Sequence, residues 1–383
     1  MKNIFVLFII ASTYCNLTIA QPQWKWPNGT VCVNNQLIQT ITNSGAQNNS
    51  KYPYNTVSYY VVAHQDDWQL FMGYQVWYDV RSYDETMSTP NGTKVVFIYV
   101  TDGAFQTKHC SNTYNEINAS YRNPVTGAPA LYSEIREEGA MNSIHLTASS
   151  NKKSASSVAP YPATTHSGDS GVYFNGHSVA VNKYKNTVSY FLRINTFGVD
   201  SWYNDFAYQW WGGESNDTAC PLHNINCKAW SVDGDVFYGY SDLVATIAAI
   251  YNYETNTAGD VVPGCIPWVN MQDPNPNINI CDNREHTAAG LAAFDAAVQY
   301  SNNMPGAPTI PINLWEDYMT GGSVCNIAAS PVNLCLVDIQ NKSAEFAAYE
   351  RALIKYQIYY EYDGFSNFYS RSYNRITNTV NGW

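Results

Sequence analysis

His64-Gln65-Asp66-Asp67 places one imidazole and two carboxylates side by side, directly after a run of β-type residues, Val57-Ser58-Tyr59-Tyr60-Val61-Val62-Ala63. Such a set can divide labour. One carboxylate joins the imidazole on a metal ion, and the other stays free to take a proton from bound water. The same residues also suit an acidic helix start, where an Asp side chain caps free backbone N–H groups. A second candidate is Asp282-Asn283-Arg284-Glu285-His286, which opens a helix continued by Thr287-Ala288-Ala289-Gly290. His286 in that first turn can point back across the strand ends or lie exposed at the helix start.

The elements around these residues decide which. Lys94–Val100 (KVVFIYV) is a second near-continuous apolar run, closed by Thr101-Asp102-Gly103, and Thr187–Ile194 (TVSYFLRI) is a third. Runs of this kind suit strands buried on both faces, as in parallel sheets. Shorter strands are expected at Ile266–Val269 and Thr309–Leu314. Helical spacing covers Trp68–Val80, Tyr132–Leu146, Ser241–Tyr253, Asp282–Tyr300 and Lys342–Glu361. Strands alternating with helices predict an α/β fold with a mostly parallel sheet. In open α/β sheets, sites form at the carboxyl ends of strands, which is where His64–Asp67 would lie. The composition turns polar over about 147–186 and Trp-rich over about 200–235, and both stretches read as insertions in one domain spanning 21–383, the first with a short hairpin.

Composition excludes some functions. Of 383 residues, 45% are hydrophobic and only 13% charged, and Asp plus Glu exceed Lys plus Arg by 31 to 20. A net charge of −11 argues against nucleic-acid binding, which draws on Lys and Arg at phosphates. An aromatic content of 15% argues against disorder. Residues 1–20 read as a signal peptide: Lys2, an apolar stretch Ile4–Ile10, and small residues Thr18 and Ala20 before Gln21. No stretch is long enough for a membrane anchor, so a secreted or lumenal protein is expected. Outside Cys15 the cysteines are even in number, as suits an oxidising compartment, and short spacings suggest pairing Cys220 with Cys227 and Cys325 with Cys335. Cys265 with Cys281 is a further pairing. Sequons stand at Asn28, Asn48, Asn91, Asn118, Asn216 and Asn341.

Taken in order, Ala63-His64-Gln65-Asp66-Asp67, Val100-Thr101-Asp102-Gly103, Arg136-Glu137-Glu138-Gly139-Ala140 and Glu285-His286-Thr287-Ala288-Ala289-Gly290 resemble the LmbE-like, or PIG-L, family of zinc-dependent N-acetylglucosamine deacetylases. The resemblance runs from about Val57 to Tyr360 and implies a Rossmann-like, mostly parallel sheet flanked by helices, with long disulfide-bearing loop insertions. It implies His64, Asp67 and His286 as the Zn2+ ligands, leaving a coordination position for water, and Asp66 as general base. Arg136 matches a position near the substrate, or forms an ion pair with Glu134 or Glu137 on its own helix. Asp102 would bind sugar hydroxyls or cap a turn. The chain departs from the family pattern at Gln65, where Pro is frequent, and at Trp68, where an acidic residue is frequent. Asn283 stands where many members carry a further His. An Asn can donate a hydrogen bond to an oxyanion, typically worth ~3–4 kcal/mol, but cannot serve as a general acid, so activity would be slower, rely on Asp66 and zinc alone, or use another donor such as a Tyr or a remaining His.

The function implied is removal of the N-acetyl group from an N-acetylated amino sugar or glycan. The alternative is a carbohydrate-binding protein on a degenerate deacetylase fold, and a metal-dependent hydrolase of another ester or amide is a third reading. His109, His145, His166, His177 and His223 fall outside the matched motifs and read as structural or exposed, with His166 and His177 best placed to reach a site. Trp202, Trp210, Trp211 and Trp230 would offer flat faces to sugar rings or pack around a disulfide loop.

Overall fold

The structure is a computed structural model, and it describes residues 53–84, 89–103, 121–127, 129–150, 172–194, 228–275, 277–279, 282, 284–318, 332–358 and 366–379. Strand β1 (Thr56–Val62) is followed by a π-helical turn, Trp68–Met72, that runs into α1 (Gly73–Arg81) and then β2 (Thr93–Thr101). A short ribbon of β3 (Tyr121–Arg122) and β4 (Pro129–Ala130) precedes α2 (Tyr132–Ser149). Next come β5 (Val172–Phe174), β6 (His177–Tyr184) and β7 (Thr187–Ile194), then a ribbon of β8 (Lys228–Trp230) and β9 (Val236–Tyr238), and α3 (Tyr240–Asn252). β10 (Trp268–Gln272), α4 (Arg284–Asn303), β11 (Pro311–Trp315), α5 (Leu336–Lys355), α6 (Ser366–Tyr369) and β12 (Asn374–Asn378) complete the order.

These form an α/β structure around an eight-stranded mixed sheet, ordered β12-β11-β10-β1-β2-β7-β6-β5. The five central strands are parallel, while β12, β6 and β5 join the two edges through antiparallel pairings. Side-chain alternation along β1 builds the two cores. Val57, Tyr59, Val61 and Ala63 pack with residues of α3 and α4 such as Ile247 and Ala292. Tyr60 and Val62 pack with Val76 of α1, Met141 of α2 and Phe346 of α5. Both faces of the sheet are therefore covered, which explains why β1 and β7 are buried at every residue.

Three expectations are corrected by the packing. The short hairpin expected within the polar stretch 147–186 is present as β5 and β6, but it is part of the main sheet's edge and not an insertion outside it. Helix α2 continues to Ser149 rather than stopping at Leu146. Helix α5 begins at Leu336 and stops at Lys355, because Gln357 adopts a left-handed backbone (φ 62°) that ends the helix before Glu361.

Residues 1–20, read as a signal peptide, and His109, His166, His223, Trp202, Trp210 and Trp211 lie outside the described residues, as do most of residues 200–235. So do Cys220, Cys227, Cys281 and Cys325, and no pairing is assigned to them. The Asn91 amide donates to the carbonyls of Asp84 and Thr89, 3.1 Å each, so that sequon is engaged in the fold. Among the described residues no helix is long and apolar enough to cross a membrane.

Candidate metal centre

Strand order fixes the place of the site. From β1 the chain adds β2 and β7 on one side, then returns to add β10 and β11 on the other. The crevice at the carboxyl ends of β1 and β10 is the position where open α/β sheets bind ligands. His64–Asp67 leave β1 there, and Thr101-Asp102-Gly103 leave β2. Asp282 and His286 follow β10, and Asp317 and Tyr318 follow β11. Four strand ends thus converge on residues that are scattered along the chain.

His64 Nδ1, Asp67 Oδ1 and His286 Nε2 form a triangle. The two nitrogens are 3.1 Å apart, and the Asp67 oxygen lies 3.5 Å from His64 and 3.2 Å from His286. Ligands at zinc-like bond lengths of ~2.0–2.1 Å in a tetrahedral site are separated by roughly 3.3 Å. The three donor atoms therefore already have the spacing of one face of a four-coordinate ion, and together they form a group that could hold a metal. Asp67 is fixed by its other oxygen, which accepts the His64 backbone N–H at 2.6 Å. The His64 side chain is 13% exposed, against 1% for Asp67 and 0% for His286, so the group opens on the His64 side.

His286 is held from behind. Its Nδ1 lies 2.8 Å from Asp282 Oδ1 and 3.2 Å from Asp317 Oδ2, and Asn279 Nδ2 donates to the remaining oxygen of Asp282 at 2.9 Å. Carboxylates at Nδ1 place a proton there and leave Nε2 to face the triangle, the usual arrangement of a ligating imidazole. Burial opposes charge on this ring, but Asp282 and Asp67 outweigh it and hold the imidazole well above its ordinary pKa. Burial would raise the Asp67 carboxyl, yet His286 and His64 hold it well below the usual carboxylate range. Asp317, buried beside Asp282, is raised instead. Asp67 and Asp282 stand against the two nitrogens of one imidazole, an acidic surrounding that suits a cation.

Asp66 has a different neighbour. Arg136 Nη2 donates to Asp66 Oδ1, Nη1 donates to the Gly103 carbonyl at 2.6 Å, and Nε donates to the Tyr349 hydroxyl at 2.8 Å. The expected ion pair with Glu134 or Glu137 is replaced. Glu134 caps the Leu131 N–H, and Glu137 is gripped by both Nε and Nη2 of Arg193 at 2.7 Å. Arg136 is thus a clamp on Asp66. Gly103 permits it: the residue has φ 63°, and a Cβ there would stand 2.7 Å from Arg136 Nη1 and 2.3 Å from Gln65 Oε1. Asp102 is fully buried at the end of β2, which closes it to a sugar hydroxyl in this arrangement. Asn283 lies outside the described residues.

The remaining described histidines are structural. His145 packs at a tilt against Tyr184, with centroids 4.0 Å apart. His177 is wedged between Asp235 and Asp242, 3.1 Å from each, and lies flat on Phe237, so it does not reach the site. Sequence reasoning missed Asp317 and Tyr318. Tyr318 stacks on His286 with centroids 5.3 Å apart and a 15° angle, and burial raises its phenol above the ordinary value, keeping it neutral. Their one signal was position, directly after a buried strand of the parallel sheet. Compared with known proteins, the chain matches no family model and no curated sequence.

Proposed function

We propose that this chain is a zinc-dependent hydrolase of the LmbE-like type, secreted or lumenal, that removes the acetyl group from an N-acetylated amino sugar or glycan. The observation that supports it most is the triangle of His64, Asp67 and His286, assembled from two strand ends far apart in sequence at the spacing a tetrahedral ion needs. Two imidazoles and one carboxylate are a donor set that suits zinc. A zinc ion held there supplies a Lewis acid, which makes water acidic enough to ionise near neutral pH and polarises the acetamide carbonyl. Asp66 takes the proton of the attacking water and delivers it to the departing amine. Arg136 keeps the Asp66 carboxylate aimed by holding one of its oxygens, leaving the other for the proton. The reading as a pure sugar-binding module leaves Asp66 and its clamp without a task.

The test is acetate release from N-acetylglucosamine, chitooligosaccharides and mucin-type glycans by the metal-loaded protein. Turnover should vanish in Asp66→Asn while bound zinc is retained. A loaded wild-type protein with no turnover on any acetylated sugar would refute the proposal.

A further inference from the structure

We propose that Tyr318 donates the hydrogen bond that steadies the negative charge developing on the acyl oxygen of the substrate. The inference rests on the hydrolase reading above, which needs such a donor. Among the described residues, the side-chain donors of Arg136, Gln65 and Asn279 are engaged elsewhere. Arg136 uses Nε, Nη1 and Nη2 on Tyr349, Gly103 and Asp66. Gln65 Nε2 donates to the Thr101 carbonyl at 3.0 Å, and Asn279 Nδ2 donates to the Asp273 carbonyl at 3.1 Å. Within the described residues the Tyr318 hydroxyl makes no hydrogen bond, so its proton is available.

The ring is packed on three sides. The ring lies flat on His286 and meets Phe71 edge-on at 5.4 Å and Phe368 at 6.0 Å. The hydroxyl lies within electrostatic range of His286, Asp67 and Asp66, the groups that surround the reacting atoms. Tyr318 is partly buried, whereas His286, on which its ring stacks, is fully buried. A rigid donor placed in advance needs no reorganisation when charge develops, which is the source of its effect.

Tyr318→Phe isolates the hydroxyl, because the ring and its stacking on His286 are kept. The expected result is a fall in kcat of about 10²–10³-fold, with KM and zinc content near wild type. A second readout is calorimetric binding of a methylphosphonamidate of glucosamine, whose tetrahedral oxyanion imitates the charge in question. Its affinity should fall by a similar factor, while affinity for glucosamine stays unchanged. Wild-type kcat and analogue affinity in Tyr318→Phe would overturn the inference and leave the hydrolase reading intact. Loss of zinc in that variant would also overturn it, assigning the ring a role in holding His286. A wild-type protein that binds zinc without hydrolysing any acetylated sugar would overturn the hydrolase reading itself.

Discussion

Replacing Asp282 by Asn should weaken metal binding without touching a ligand. Asp282 Oδ1 accepts from His286 Nδ1 at 2.8 Å, while Asp317 Oδ2 is farther at 3.2 Å, so Asp282 carries most of the orientation of the ring. A carboxylate behind a ligating imidazole raises its basicity and fixes its tautomer, and its loss typically costs about 10–100-fold in metal affinity, or about 1.4–2.7 kcal/mol. Asn keeps the shape of the residue and an acceptor oxygen, so the single variant belongs near the lower end. Asp282→Asn combined with Asp317→Asn removes both carboxyl groups behind Nδ1 and belongs near or beyond the upper end. Competition of the apo-protein against a chromophoric chelator at fixed pH gives Kd directly, and circular dichroism confirms that the variants are folded. Unchanged Kd in the double variant would refute the assignment of Nε2 as a ligand, since no imidazole so oriented can be indifferent to the groups at Nδ1.

Gly290→Ala should destabilise the fold. A Cβ at Gly290 would stand 2.3 Å from the Gln272 carbonyl oxygen, so α4 must move away from β10 at a cost of about 1–3 kcal/mol, read as a lowered Tm; an unchanged Tm contradicts this packing. Lys342 sits in the core with its amine donating to the Phe368 carbonyl at 2.8 Å, and burial pushes its pKa down to about 7 even though Glu345 pulls it up. Between that value and 10.5 the unfolded lysine binds a proton that the folded one lacks, so stability rises with pH there. Wild type should gain on Lys342→Met with a slope approaching ~1.4 kcal/mol per pH unit, measured by urea unfolding across that range. A pH-independent difference would show that the amine stays charged inside the core.

Much of the scaffold was legible because its central strands are buried on both faces. KVVFIYV and TVSYFLRI have no other reading than covered strands, and the residues after the first and fourth parallel strands carried the imidazoles. The edge strand β12 escaped notice. Asn374–Asn378 is short, polar and partly exposed, and it becomes a strand only because β11 offers it a hydrogen-bonding edge. In the site, His64, Asp66 and Asp67 stood out through local clustering, and His286 through the ordered motifs of the family resemblance. Asp317 did not, since a lone Asp after a strand has no local pattern, and its role appears only when β11 lies beside β10. The Arg136 clamp escaped for the same reason. On the helix its near neighbours are Glu134 and Glu137, and only the fold brings Asp66 within reach.

Metal content tests the account most directly. The protein, purified from zinc-replete medium, should hold one zinc per chain by mass spectrometry, and His286→Ala should hold none after the same dialysis. Stoichiometric metal retained by His286→Ala, or a wild type that binds no zinc, would contradict the assignment of His64, Asp67 and His286 as the metal centre.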